Sequence, residues 1–127
     1  MEYVALVVIA ALLQFFFFAL QVGNARGKYE VHAPAVSGHP TFERYYRVQM
    51  NTQEQLMLFI PAIAIFAFWV SPEAAAGLGV VYLIGRALYA RSYVGDPKKR
   101  GLGFVLTLLP SMIMLLGGAV GVVLELL

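Results

Sequence analysis

The sequence predicts an all-α integral membrane protein, an up-down bundle of four transmembrane helices in a single domain spanning residues 1–127. Composition is the first reason: 61% of the residues are hydrophobic and only 13% charged, whereas soluble domains carry about 25% charged residues. The second is a set of four apolar runs, separated by punctuation rich in Gly, Pro and charge. The third is that two of the three connections are short, which makes successive helices antiparallel neighbours. Mean hydropathy of +0.77 agrees.

The first span, Tyr3 to Val22, is interrupted mainly by Gln14 and Gln21 and at about 1.5 Å per residue covers a hydrocarbon core of about 30 Å. Glu2 stands where a cleavable signal peptide has Lys or Arg, and the apolar run is too long for one. Phe15 to Phe18 read as lipid-facing and packing surface. The first connection, Gly23 to about Pro40, holds Gly23, Gly27, Pro34, Gly38 and Pro40 and is predicted to be irregular and in water.

The next apolar run, Leu56 to Val70, covers only about 22 Å. Its helix must therefore extend backward through the polar stretch Phe42 to Glu54, giving a span of about residues 50–70 with charged groups at membrane depth, where they normally face a bundle interior. Ser71-Pro72-Glu73 reads as a helix start, with Ser at the N-cap and Pro at the first helical position. The third span, 74–91, contains Arg86; the fourth, 102–124, follows the cluster Asp96-Pro97-Lys98-Lys99-Arg100. Pro61 and Pro110 are predicted to kink their helices. Gly117 and Gly121 form a small-x-x-x-small pair that permits close helix packing.

Basic residues gather where spans meet the first and third connections, while the side with Glu2, Glu73 and Glu125 has neither Lys nor Arg. The positive-inside rule then puts those two connections in the cytoplasm and both termini on the far side. The short termini and the lack of an Asn-x-Ser/Thr sequence favour a bacterial inner membrane over an endomembrane. Zero cysteines exclude disulfides and a thiol nucleophile borne by the protein. His32 and His39 lack a third ligand nearby, so no metal is expected. The basic cluster at Asp96 to Arg100 reads as a site for anionic headgroups, and nothing points to nucleic acid.

On a helix turning about 100° per residue, Arg44, Arg47, Asn51, Glu54 and Gln55 share one stripe. Tyr82, Arg86, Tyr89 and Tyr93 share another, on the third helix. A guanidinium for a carboxylate, an amide for an amide and a carboxylate for an ammonium group describe a small zwitterionic peptide such as glutathione, and equally an internally satisfied network. The packing alternative pairs Arg86 with Glu54 or Glu43. Gln49 points about 140° away from Arg44, so it reaches the same ligand only from a neighbouring subunit.

The motif Glu43-Arg44-x-x-Arg47-x-Gln49-x-Asn51-x-x-Glu54, followed by Val81-Tyr82-Leu83-x-x-Arg86-x-x-Tyr89-x-x-x-Tyr93 and Arg100, resembles the family of membrane-associated proteins in eicosanoid and glutathione metabolism. The match covers nearly the whole chain. The resemblance implies a homotrimer binding glutathione as co-substrate between subunits near the cytoplasmic side. It implies Arg47, Asn51, Glu54, Tyr89 and Tyr93 as ligands from one subunit and Arg26 and Gln49 from the next. Arg100 matches the arginine that holds the glutathione sulfur as thiolate, and so is the catalytic candidate. Gly27 and Gln55 stand where leukotriene synthases carry a second arginine and a tyrosine, which counts against a leukotriene substrate. The implied activity is a glutathione transferase or peroxidase acting on lipophilic electrophiles or lipid hydroperoxides drawn from the bilayer. Two alternatives stay open: a non-catalytic lipid-binding or scaffold protein of the same family, and a small transporter, which the one-sided polar mouth fits less well.

Overall fold

The structure, a computed structural model, describes residues 1–127. Four helices follow one another: α1 (Glu2–Tyr29), α2 (Pro40–Trp69), α3 (Pro72–Gly95) and α4 (Gly101–Leu126), with a 3₁₀ turn at Pro97–Lys99. α2 and α3 each pack against the other three elements, and α1 and α4 flank them. Both longer connections, Glu30 to His39 and Asp96 to Arg100, lie at the same end of this up-down bundle.

α1 runs further than the sequence predicts, through Gly23 and Gly27 to Tyr29. Each glycine costs a helix interior about 1 kcal/mol relative to alanine, but Val22 and Ala25 are buried against Phe42 and Val31, and that burial outweighs the loss. The helix ends at Glu30, whose left-handed backbone (φ 56°) lets its own N–H and that of Val31 bond the Arg26 carbonyl. α2 begins at Pro40, capped by His39 Nδ1, which accepts from the Thr41 N–H at 3.1 Å; the His39 ring also stacks on Tyr29. α2 therefore does run back through the whole polar stretch. Ser71 caps α3 as predicted, its Oγ accepting from the Ala74 N–H at 3.1 Å.

The main core joins all four helices through Ala11, Phe59, Ala62, Ile63, Ala75, Tyr82 and Met114. Glycines set how closely the helices approach. A Cβ on Gly117 would meet the Phe66 ring at 2.8 Å, and one on Gly121 the Trp69 carbonyl oxygen at 2.9 Å, so the small pair on α4 seats against the end of α2. Large apolar side chains such as Leu6, Leu13, Phe16, Met57, Phe68, Ile84 and Leu116 are exposed on every helix. A soluble bundle keeps a polar outer face; this one presents hydrocarbon, as a lipid-facing surface does. α1, α2 and α4 are long and apolar enough to cross a membrane. α3, with 24 residues, reaches about 36 Å but carries Arg86 and Arg91.

Candidate functional site

α2 and α3 bring most of the predicted residues to the connection-bearing half of the bundle. On α2, Asn51 is buried, one turn after Arg47 and one turn before Glu54. Those two are half-exposed and paired, Arg47 Nη1 donating to Glu54 Oε1 at 3.2 Å. On α3, Tyr89 is buried and its ring stacks on that of Tyr93 with centroids 5.5 Å apart.

Arg86 joins the two helices. It is fully buried yet pairs with neither Glu54 nor Glu43, in contrast to the packing expectation. Its Nη1 donates to Asn51 Oδ1 at 2.9 Å and Thr52 Oγ1 at 3.1 Å, and its Nε to Thr107 Oγ1 on α4 at 3.0 Å. The guanidinium lies 4.1 Å from the Tyr89 ring centroid, a cation–π contact. The physical reason is geometric: Glu54 lies toward the solvent side of the α2 stripe, and the groups that meet the α3 face are Asn51 and Thr52. Thr52, in the polar stretch of α2, and Thr107, in the apolar run of α4, escaped sequence reasoning because a lone threonine has no spacing signal; only the tertiary contact distinguishes them.

Two glycines make this contact possible. A Cβ on Gly85 would sit 2.8 Å from the Thr107 nitrogen, and one on Gly103 would collide with the Tyr89 backbone. With hydrogen at both positions, α3 and α4 approach until Thr107 reaches Arg86.

The remaining candidates lie elsewhere. Arg44 caps α3, its Nη1 donating to the Val94 and Gly95 carbonyls at 3.1 and 3.3 Å. Arg26 donates to the Val31 and Ala35 carbonyls at 3.3 and 2.6 Å and lies over the Phe42 ring. Gln49, two turns on from Phe42 and so on nearly the same side of α2, is half-buried. Arg26 and Gln49 thus fall on the α1-facing side, apart from Arg47, Asn51 and Glu54. Arg100 is exposed at the start of α4, its Nη1 donating to the Pro97 carbonyl at 2.8 Å. Gln55 has a buried Oε1 without a partner. A separate cleft of about 370 Å³ lies between α1 and α3, lined by residues including Gln14, Phe17, Gln21, Tyr45 and Arg91; it holds none of the candidate ligands.

Known proteins resemble this chain in sequence. An uncharacterized protein of Synechocystis is 43% identical over 96% of this chain and 89% of its own length. Human microsomal glutathione S-transferase 2 is 43% identical over 84% of this chain and 72% of its own. Bovine leukotriene C4 synthase is 37% identical over 66% and 56%, respectively. The MAPEG family profile matches residues 4–120. A four-helix membrane bundle whose sequence matches that profile over nearly its whole length belongs to the MAPEG family.

Proposed function

We propose that this protein is a membrane-bound glutathione transferase, with glutathione peroxidase activity as a companion reaction, acting on lipophilic electrophiles or lipid hydroperoxides from the bilayer. The observation that carries the reading is the α2–α3 face: an accessible guanidinium and carboxylate, Arg47 and Glu54, one turn either side of the Asn51 amide, which Arg86 joins to the Tyr89–Tyr93 stack. The names of the transferase and synthase relatives agree with it.

In this reading Arg47 takes a glutathione carboxylate, Glu54 its ammonium group, and Asn51, Tyr89 and Tyr93 the groups between. Arg100 stands beside the sulfur. A free thiol titrates at about pH 8.5; a guanidinium within a few ångströms favours the anion and cannot itself give up its proton. The thiolate then attacks the electrophilic carbon, forming the C–S bond as the leaving group departs with its electron pair. With a hydroperoxide, the thiolate attacks the terminal oxygen, the O–O bond breaks and the alkoxide leaves as an alcohol on protonation; a second glutathione then attacks the resulting sulfenic acid, forming the disulfide and releasing the transferred oxygen as water.

The half-exposed state of Arg47 and Glu54 in one chain, with Arg26 and Gln49 on another side, supports a homotrimer in which the next subunit supplies Arg26 and Gln49. The basic connections support a site near the cytoplasmic face with both termini opposite, in a bacterial inner membrane.

The test is an ultraviolet difference spectrum of detergent-purified protein titrated with glutathione near neutral pH, followed by addition of a generic aryl chloride. A saturable thiolate band and thioether product are expected. Glutathione binding without the band would leave lipid presentation as the function; no binding would remove glutathione from the account.

A further inference from the structure

We propose that Arg86 is a positioning residue for the ligand: its buried guanidinium locks the Asn51 carboxamide with oxygen inward, so that Asn51 offers the site only N–H donors and selects an acceptor oxygen. This rests on the glutathione reading above and adds to it which kind of atom Asn51 recognises.

Donor and acceptor chemistry fixes the orientation of the amide. Arginine has five N–H donors and no acceptor, so the Asn51 atom that meets Nη1 at 2.9 Å is Oδ1. The amide therefore cannot flip, and its Nδ2 is the group left for a partner outside the network.

The guanidinium is itself held on three sides. Thr52 Oγ1 spends its hydrogen on the Val48 carbonyl at 2.7 Å, and Thr107 Oγ1 spends its hydrogen on the Gly103 carbonyl at 2.7 Å. Each hydroxyl is then oriented with lone pairs available, and each accepts from Arg86. Tyr89 closes the third side with its ring face. Arg86 thus reads the orientation of α4 through Thr107 and passes it to Asn51 on α2 and Tyr89 on its own helix. No carboxylate enters the network, so the charge is stabilised by neutral dipoles and a π face alone. A lysine would keep the charge but not the fork that reaches Thr107 and Asn51 at once.

The consequence is chemical. The ligand atom opposite Asn51 must be a carboxylate or carbonyl oxygen, because an ammonium group there would face a donor.

The experiment compares three variants of the full chain in detergent, measuring glutathione Kd, KM and kcat with an aryl chloride, and thermal unfolding. Asn51→Asp is nearly isosteric, gives Arg86 a counter-charge and removes the outward donor. It is expected to unfold no earlier than wild type and to bind glutathione at least about tenfold more weakly. Thr107→Val, remote from the ligand, removes the Nε acceptor and is expected to raise the glutathione KM about three- to tenfold with kcat at saturation unchanged. Thr107→Ser, which keeps the hydroxyl, is expected to restore KM. Wild-type affinity in Asn51→Asp overturns the proposal, as does a Thr107→Val protein with unchanged KM, or one that Thr107→Ser fails to rescue. A wild-type protein that binds no glutathione overturns the reading of the site, and this proposal with it; tight wild-type binding with unaffected variants overturns the proposal alone.

Discussion

Arg47 and Glu54 are joined across two turns of one helix, Nη1 to Oε1 at 3.2 Å, with side chains 50% and 58% exposed. An exposed pair of this kind contributes only about 0.2–1 kcal/mol to stability. Either charge can therefore leave the pair at little cost in stability, as the ligand roles proposed for Arg47 and Glu54 require.

Glu54→Ala is expected to leave the thermal midpoint nearly unchanged, since the lost pair is worth at most about 1 kcal/mol, while abolishing measurable glutathione binding by leaving the ligand's ammonium group unpaired. Calorimetric titration checks it. Retained affinity would remove Glu54 from the site.

Arg100→Ala is expected to change glutathione affinity by no more than a few fold and to lose the thiolate band and most of the turnover. The side chain is exposed and bonds only the Pro97 carbonyl, so its loss leaves the fold intact. Equal losses of binding and turnover would assign Arg100 to ligand binding in general.

If the site lies between subunits, two inactive variants must complement each other. Gln49→Ala and Glu54→Ala chains, co-expressed in equal amounts, are expected to regain about one quarter of wild-type sites, because a heterologous interface pairs the intact half of each chain at that frequency. Activity no greater than the sum of the separate variants would place the site within one chain.

Glycine substitutions separate helix propensity from packing. Gly103→Ala drives a methyl group into the Tyr89 backbone and is expected to destabilise by about 1–3 kcal/mol and to weaken glutathione binding more than Thr107→Val does, since it displaces Tyr89 as well as Thr107. A Cβ at Gly27 would meet nothing within 4 Å, so Gly27→Ala is expected to stabilise α1 by about 1 kcal/mol. Thermal unfolding of the two variants shifts in opposite directions.

Much of the fold was legible in the sequence. Apolar run lengths indicate four helices, and the shortfall of Leu56 to Val70 forces α2 back through its polar stretch, where the structure has it starting at Pro40. The Ser71-Pro72 cap was legible because capping is local chemistry. The end of α1 was not, since Gly23 and Gly27 look like loop residues until Val22 and Ala25 are seen buried against Phe42 and Val31. The stripe positions of Arg47, Asn51 and Glu54 follow from helical periodicity. The partner of Arg86 does not: charge pairing suggests a glutamate, and the protein uses an asparagine and two threonines.

Hydrophobicity, capping and periodicity act over a few residues, so the amino-acid order alone specifies a membrane bundle, where most of its helices begin and which α2 side chains share a face. That Arg86 meets Asn51, Thr52 and Thr107 emerges on packing, because the contact depends on how closely α3 and α4 approach at Gly85 and Gly103, and interhelical distance is a property of packed pairs that no single segment encodes.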